Sequence, residues 1–207
     1  MNIRMIKTSC VALLGFALLS LPACKNPTVL ENSWKAPAVG SLKFTKVLAI
    51  ALVPDGSLRR AAEDTIKANI KSVPTIASYE VAMDKETLKD RTKMANIIAN
   101  SGADGVIIMR PVSDVKEIPD PASGVPPPYT GMWGYYTRPY GMSGMYWDTG
   151  TGTDGIVGIE TNIYDAKTES LVWSGFTKST NPKNVTDLVN QVGTAIRAKM
   201  KEQQLIP

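Results

Sequence analysis

The sequence predicts an α/β fold, a single three-layer-like domain in which helices pack on a mixed sheet of about five strands. Three observations predict it. Short apolar runs that end in turn residues alternate with stretches whose apolar residues recur every three or four positions, the pattern of buried strands and amphipathic helices. The last third of the chain replaces that alternation with two strand-like runs around a polar turn, which makes part of the sheet antiparallel. Residues 46–207 are about the length of one ordinary domain, enough to bury a core unaided.

The first strand is Lys46-Val-Leu-Ala-Ile-Ala-Leu-Val53, stopped by Pro54-Asp55-Gly56. Its unbroken apolarity suits burial on both faces. A helix follows, because Leu58, Ala62, Ile66, Ile70 and Val73 fall on one stripe. Arg59 and Arg60 stand near its start, where the macrodipole disfavours cations, so either an acidic partner or local ion pairs must account for them. Their spacing to Glu63 and Asp64 favours the ion pairs. Thr75 to Val81 reads as a short strand. A second helix is expected from about Lys85 to Ser101, capped by Asp84, with Leu88, Met94, Ala95 and Ile98 inward and Gly102 at its end. Asp104-Gly-Val-Ile-Ile-Met-Arg110 is the next buried strand, and the strand-helix-strand-helix-strand order implies partly parallel pairing. Ile156–Tyr164 and Leu171–Lys178 flank the turn Asp165-Ala-Lys-Thr-Glu-Ser170 as a hairpin. The last helix opens at Asn184 to Asp187, a capping box with Asp in place of Glu, and buries Val185, Leu188, Val189, Val192, Ile196 and Met200.

Ahead of the domain, Arg4 and Lys7 precede an apolar run from Val11 to Leu21 and then Leu21-Pro22-Ala23-Cys24. The run is shorter than the roughly 20 residues of a spanning helix and ends at a small residue before a cysteine, which is a lipoprotein signal. Residues 1–23 are therefore expected to be removed, leaving Cys24 as the first residue with a thioether-linked diacylglycerol and an acylated amino terminus, palmitate being the typical acyl group. Residues 24–45 read as the lipidated cysteine and a flexible tether, with Pro27, Pro37 and Gly40 and no sustained period.

Charge and composition exclude several classes of activity. Removal of residues 1–23 takes two of the 23 Lys and Arg and none of the 19 acids, so the net charge falls from +4 to +2. Basic residues scattered among acids at that net charge do not make a phosphate-binding face, and nucleic acid is not an expected partner. There is no histidine, and Cys24 is the only cysteine after residue 23. Ser-His-Asp and Cys-His catalysis, a His or Cys zinc site and an intrachain disulfide are thereby excluded. No metal and no cofactor beyond the covalent lipid is expected.

The segment with functional character is 119–152, which holds six prolines, seven glycines, five tyrosines and two tryptophans, half of the chain's aromatic residues. A connection this long inside one domain is a binding loop or a disordered insert. Tyr129 to Arg138 and Pro139 to Asp148 align at a ten-residue offset, with Gly131, Met132, Gly134 and Tyr136 matching Gly141, Met142, Gly144 and Tyr146. Aromatic rings lie flat on sugars or anchor protein interfaces at low entropic cost, so Trp133, Tyr135, Tyr136, Tyr140, Tyr146 and Trp147 are the candidate binding residues. Folding back over the sheet is the equally available alternative. The glycines do not run from a strand into a helix, and no Gly-Lys-Ser or Gly-Lys-Thr occurs, so no phosphate cradle is read here. Asp148, Asp154 and Glu160 bracket the exit of the segment and could supply a carboxylate pair for glycoside cleavage, but turn and strand-edge roles explain them better. The expectation is a protein that is not an enzyme.

Ser101-Gly-Ala-Asp-Gly-Val-Ile-Ile-Met-Arg110 and Glu160-Thr-Asn-Ile-Tyr-Asp-Ala-Lys-Thr-Glu-Ser-Leu-Val-Trp-Ser174, behind the lipoprotein signal, resemble an uncharacterised family of small proteobacterial outer-membrane lipoproteins. More distantly, the order of elements resembles the α/β domain of the curli secretion lipoprotein, of the lipoprotein activators of penicillin-binding proteins and of the amino-terminal part of TolB. That resemblance implies envelope assembly or docking. The tether is shorter than the long arm of the activators, and 119–152 lacks the alternation of the membrane-crossing hairpins of the curli-type pore. Lys25 after the cysteine, rather than Asp, implies sorting to the outer membrane, periplasmic face. Two readings follow: an accessory lipoprotein that binds an envelope protein through its sheet edge or the aromatic segment, and a module that binds peptidoglycan or another glycan with the same rings.

Overall fold

The structure is a computed structural model that describes residues 28–82, 84–112, 131–136 and 155–207. Twelve elements succeed one another: β1 (Thr28–Lys35), β2 (Val47–Ala51), α1 (Gly56–Asn69), β3 (Thr75–Ala77), α2 (Ser78–Val81), α3 (Lys85–Lys89), α4 (Arg91–Ser101), β4 (Gly105–Val112), α5 (Met132–Tyr136), β5 (Ile156–Asp165), β6 (Leu171–Thr180) and α6 (Val185–Glu202). The strands form one sheet in the order β1-β6-β5-β4-β2-β3. β2 pairs in parallel with β3 and β4, and the remaining pairs are antiparallel. The mixed α/β fold read from the sequence is the fold observed.

Residues alternate between the two faces, and each face has its own helices. On one, Ala49, Ala51, Met109, Ile159, Ile163 and Trp173 pack under Ala62 and Ile66 of α1 and the Leu188, Val189, Val192 and Ile196 stripe of α6. On the other, Leu48, Ile50, Leu52, Val106, Ile108 and Tyr164 pack under Met94 and Ile98 of α4 and the aromatic residues of α5. The domain is thus three layers. At Gly175 an added Cβ would stand 2.2 Å from the Trp173 ring, so only glycine lets that fully buried indole lie flat on β6.

The two predicted caps form: Asp84 accepts from Thr87 N–H, and Asn184 from Asp187 N–H. Asp55, read only as the end of the preceding strand, also caps α1 by accepting from Ser57 and Leu58 N–H. Gly102 ends α4 in the left-handed region at φ 69°. Asp104 accepts the Lys46 and Thr45 N–H groups and the Thr45 hydroxyl. Burial works against its charge, but those donors outweigh burial and hold the carboxyl below the usual value.

Three expectations are corrected. Thr28–Lys35, read as tether, is an edge strand hydrogen-bonded to β6, so the sheet has six strands. A bulge between Leu30 and Asn32 puts Leu30 toward α6 and Trp34 toward the opposite face, which erases the period of two from the sequence. The strand expected over Thr75–Val81 stops at Ala77, because the Glu63 carboxylate takes the Tyr79 N–H and the Ser78 hydroxyl and turns the chain into α2. The helix expected over Lys85–Ser101 is divided at Asp90, whose extended backbone and side-chain bond to Lys93 N–H restart it as α4.

Candidate functional site

The two ends of the sheet differ in what they gather. At one end lie Thr28 opposite Ser179, Ile156 opposite Thr180 and Val112 opposite Gly158. There the chain enters the sheet, leaves it for the aromatic segment after β4, and returns from that segment into β5. Two large apolar side chains, Val29 at 56 % and Ile156 at 54 % exposure, stand at this end. Neither outer edge of the sheet invites strand addition, since β1 is bulged beside the exposed Glu31 and β3 is three residues long.

At the opposite end, the hairpin turn between β5 and β6 is built by Asp165, which accepts from Lys167 and Thr168 N–H, with Glu169 at positive φ. Glu169 C=O accepts the Met132 N–H, and Gly131 bridges to Ser170. The middle of the 119–152 segment is therefore pinned at the far end, and α5 lies over the sheet face. Its residues Met132, Trp133, Tyr135 and Tyr136 are buried. Trp133 meets the Tyr136 ring edge-on at 5.5 Å, and the Arg91 guanidinium of α4 stands 5.5 Å from the Trp133 centroid.

Beneath Tyr135 the sheet carries an ion pair. Arg110 of β4 and Glu160 of β5 are cross-strand partners, their charged atoms 3.0 Å apart, with both side chains buried. The Arg110 guanidinium stacks 4.5 Å from the Tyr135 centroid. Asn162 reaches both Glu160 and the Tyr164 hydroxyl at 3.5 and 3.4 Å. Burial opposes the Arg110 charge, but the adjoining Tyr135 and Glu160 raise its pKa above the ordinary value. Burial and then the Glu160 charge push the phenols of Tyr135 and Tyr164 well up, so both rings act as neutral hydrogen-bonding groups.

A second buried network sits where β2 runs into α1. Arg59 and Glu63 form the ion pair that their spacing predicts, at 3.1 Å. Glu63 also accepts the Ala51 and Tyr79 N–H groups and the Ser78 hydroxyl, while Arg59 donates to Ser78 Oγ and the Ala82 carbonyl. Arg60 lies over the Tyr79 ring, whose hydroxyl donates to Asp64, and that bond pushes the half-buried Tyr79 phenol up to about 12.

Of the candidate binding residues, Trp133, Tyr135 and Tyr136 are therefore placed in the core, whereas Tyr140, Tyr146 and Trp147 lie outside the described residues. Glu160 is joined to Arg110 and contributes no free carboxylate, and Asp148 and Asp154 lie outside the described residues, as does Cys24. Among the described residues no group of three or more carboxylates gathers to hold a metal ion, and no helix is long and apolar enough to cross a membrane. Sequence reasoning missed Arg110, Asn162 and Tyr164. Their signal was the period of two in Glu160, Asn162 and Tyr164, a polar row on a strand whose other face is Ile159, Thr161 and Ile163.

No family profile and no curated protein matches the chain. Among solved structures it is similar to the PelC dodecamer from Paraburkholderia phytofirmans, at 14% identity and a TM-score of 0.43, over 87% of this chain and 99% of that one. It is also similar to lipoprotein GNA1162 from Neisseria meningitidis, at 11% identity and a TM-score of 0.38, over 76% of this chain and 99% of that one.

Proposed function

We propose that this protein is a non-enzymatic lipoprotein of the bacterial cell envelope, anchored through Cys24 to the periplasmic face of the outer membrane, which engages an envelope protein at the anchored end of its sheet. The observation that carries this reading is the start of β1 at Thr28, beside the points where the 113–154 region leaves and rejoins the sheet. Four residues from Cys24 to Thr28 span at most about 14 Å, so the lipid would hold this end close to the membrane. Val29 and Ile156 would be presented there together with whatever Tyr140, Tyr146 and Trp147 add.

The glycan reading loses three of its six rings to the core and rests on Tyr140, Tyr146 and Trp147 alone. Photocrosslinking groups introduced at Val29 and Ile156 of the lipidated protein in native membranes should trap one discrete protein, and a group at Lys93 on the α4 surface should not. Equal trapping from all three positions would end the proposal. Cosedimentation of the unlipidated chain with purified cell-wall sacculi, lost in a Tyr146→Ala, Trp147→Ala variant, would replace it with glycan recognition.

A further inference from the structure

The sheet face under α1 and α6 is not filled to its end. A cavity of about 350 Å³ remains there, at the end of the sheet away from Thr28, with Ile107, Met109 and Ile163 as its floor and Ile66, Ile196 and Met200 in its walls. Protein interiors seldom leave apolar space of this size empty, and its volume falls within the ~300–1,000 Å³ of small-molecule sites. The charged side chains at its mouth are all basic. Lys71 just beyond α1 and Arg197 and Lys201 on α6 are exposed around it, and no Asp or Glu lines it.

Cations at helix carboxyl ends have a local explanation in the macrodipole. It accounts for Lys71 and Lys201 singly, but not for their convergence on an unfilled apolar cavity. Arg197 is held in place by donating to the Asn69 carbonyl. Among the described residues, Lys71 and Lys201 have no carboxylate partner. The floor adds a polar atom: Thr161 Oγ1, buried and without a hydrogen-bond partner, belongs to a residue that lines the cavity. A buried unpaired hydroxyl is the exception in native proteins and points to an occupant.

We infer that this cavity binds a single-chain anionic amphiphile, its alkyl chain along Ile107 and Ile163 and its head group among Lys71, Arg197 and Lys201. At the ~30 Å³ that a water-sized group occupies, the space holds a chain of roughly a dozen carbons. A free fatty acid and an anionic lysophospholipid share this chemistry. The site is at the other end of the sheet from the proposed docking end, so the two proposals stand or fall separately.

The test uses residues 25–207, which contain every described element, and displacement of dansylaminoundecanoate by laurate, by dodecanol and by lauroyl lysophosphatidylglycerol. Laurate should displace the probe at least tenfold better than dodecanol, and Lys71→Glu with Lys201→Glu should erase that preference. Ile107→Trp, which projects an indole from the cavity floor into the path of the alkyl chain, should weaken probe binding at least tenfold with the thermal midpoint retained. Displacement by the lysophospholipid but not by laurate identifies membrane lipid as the source, and the reverse identifies free fatty acid. Absence of probe binding by the unaltered chain, or unchanged binding by Ile107→Trp, overturns the inference. Should Ile107→Trp not fold, the charge-reversal pair on the surface still decides it.

Discussion

Two buried arginine–glutamate pairs lie within one domain, and they are built differently. Arg59 and Glu63 are one helical turn apart, and their network is completed by two backbone N–H groups and the Ser78 hydroxyl, which donate to Glu63, and by Ser78 Oγ and the Ala82 carbonyl, which accept from Arg59. Arg110 and Glu160 are fifty residues apart and face each other across strands, Arg110 Nε has no hydrogen-bond partner, and the Asn162 contacts are long. A charge pair in low dielectric is stabilising only when its geometry and remaining hydrogen bonds offset desolvation. The first pair meets that condition and joins β2, α1 and α2. The second leaves polar capacity unused and serves as the seat on which Tyr135 stacks.

Removing one member of either pair strands a buried charge, so Glu63→Ala and Glu160→Ala should each approach the ~3–5 kcal/mol typical of broken buried pairs in urea unfolding. Glu63→Ala should be the larger, because the Ala51 and Tyr79 N–H groups lose their acceptor as well. Double replacement sharpens the contrast. Arg110→Met with Glu160→Leu should fall within about 1 kcal/mol of the unaltered protein. Arg59→Met with Glu63→Leu should still cost at least ~2 kcal/mol, because two backbone donors remain buried without an acceptor. Equal costs for the two double variants would break the comparison.

Trp133→Ala tests whether α5 belongs to the core above the second pair. A loss of about 3 kcal/mol or more is expected for a buried indole, and a loss below ~1 kcal/mol would show that the ring is not packed as described. The smallest effect is expected at Asp104. Its folded carboxyl lies below the ordinary value, so its stabilisation is complete above pH ~4 and is lost as pH falls through the lower folded value. In chemical denaturation between pH 2 and 7, Asp104→Asn should be less stable at neutral pH, and the gap should narrow below pH ~4. A gap constant with pH would remove the carboxylate from the Thr45–Lys46 junction.

The same contrast explains what was legible. Arg59 and Glu63 could be paired from their spacing because an α-helix fixes which residues are neighbours. Arg110 and Glu160 could not, since their meeting depends on the register between β4 and β5. The hairpin, the capping residues and the buried stripes of α1 and α6 were readable for the first reason. β1 was not, because its bulge removes the local period and its partner β6 lies some 150 positions later. The aromatic segment stood out by composition, yet composition carries no direction: rings that bind and rings that fill a core have the same residue types.

The sequence by itself determined the elements β2, α1, β4, β5, β6 and α6, the mixed α/β class, the absence of histidine and the likeness of its start to a lipoprotein signal, since each is set by residue type or by contacts within a few positions. Only the tertiary structure decided that Thr28–Lys35 closes the sheet, that Trp133, Tyr135 and Tyr136 face inward, and that the face under α1 and α6 keeps an apolar cavity ringed by cations. These outcomes depend on which distant surfaces meet, and on how much volume their side chains fill when they do, and neither quantity has a period in the chain.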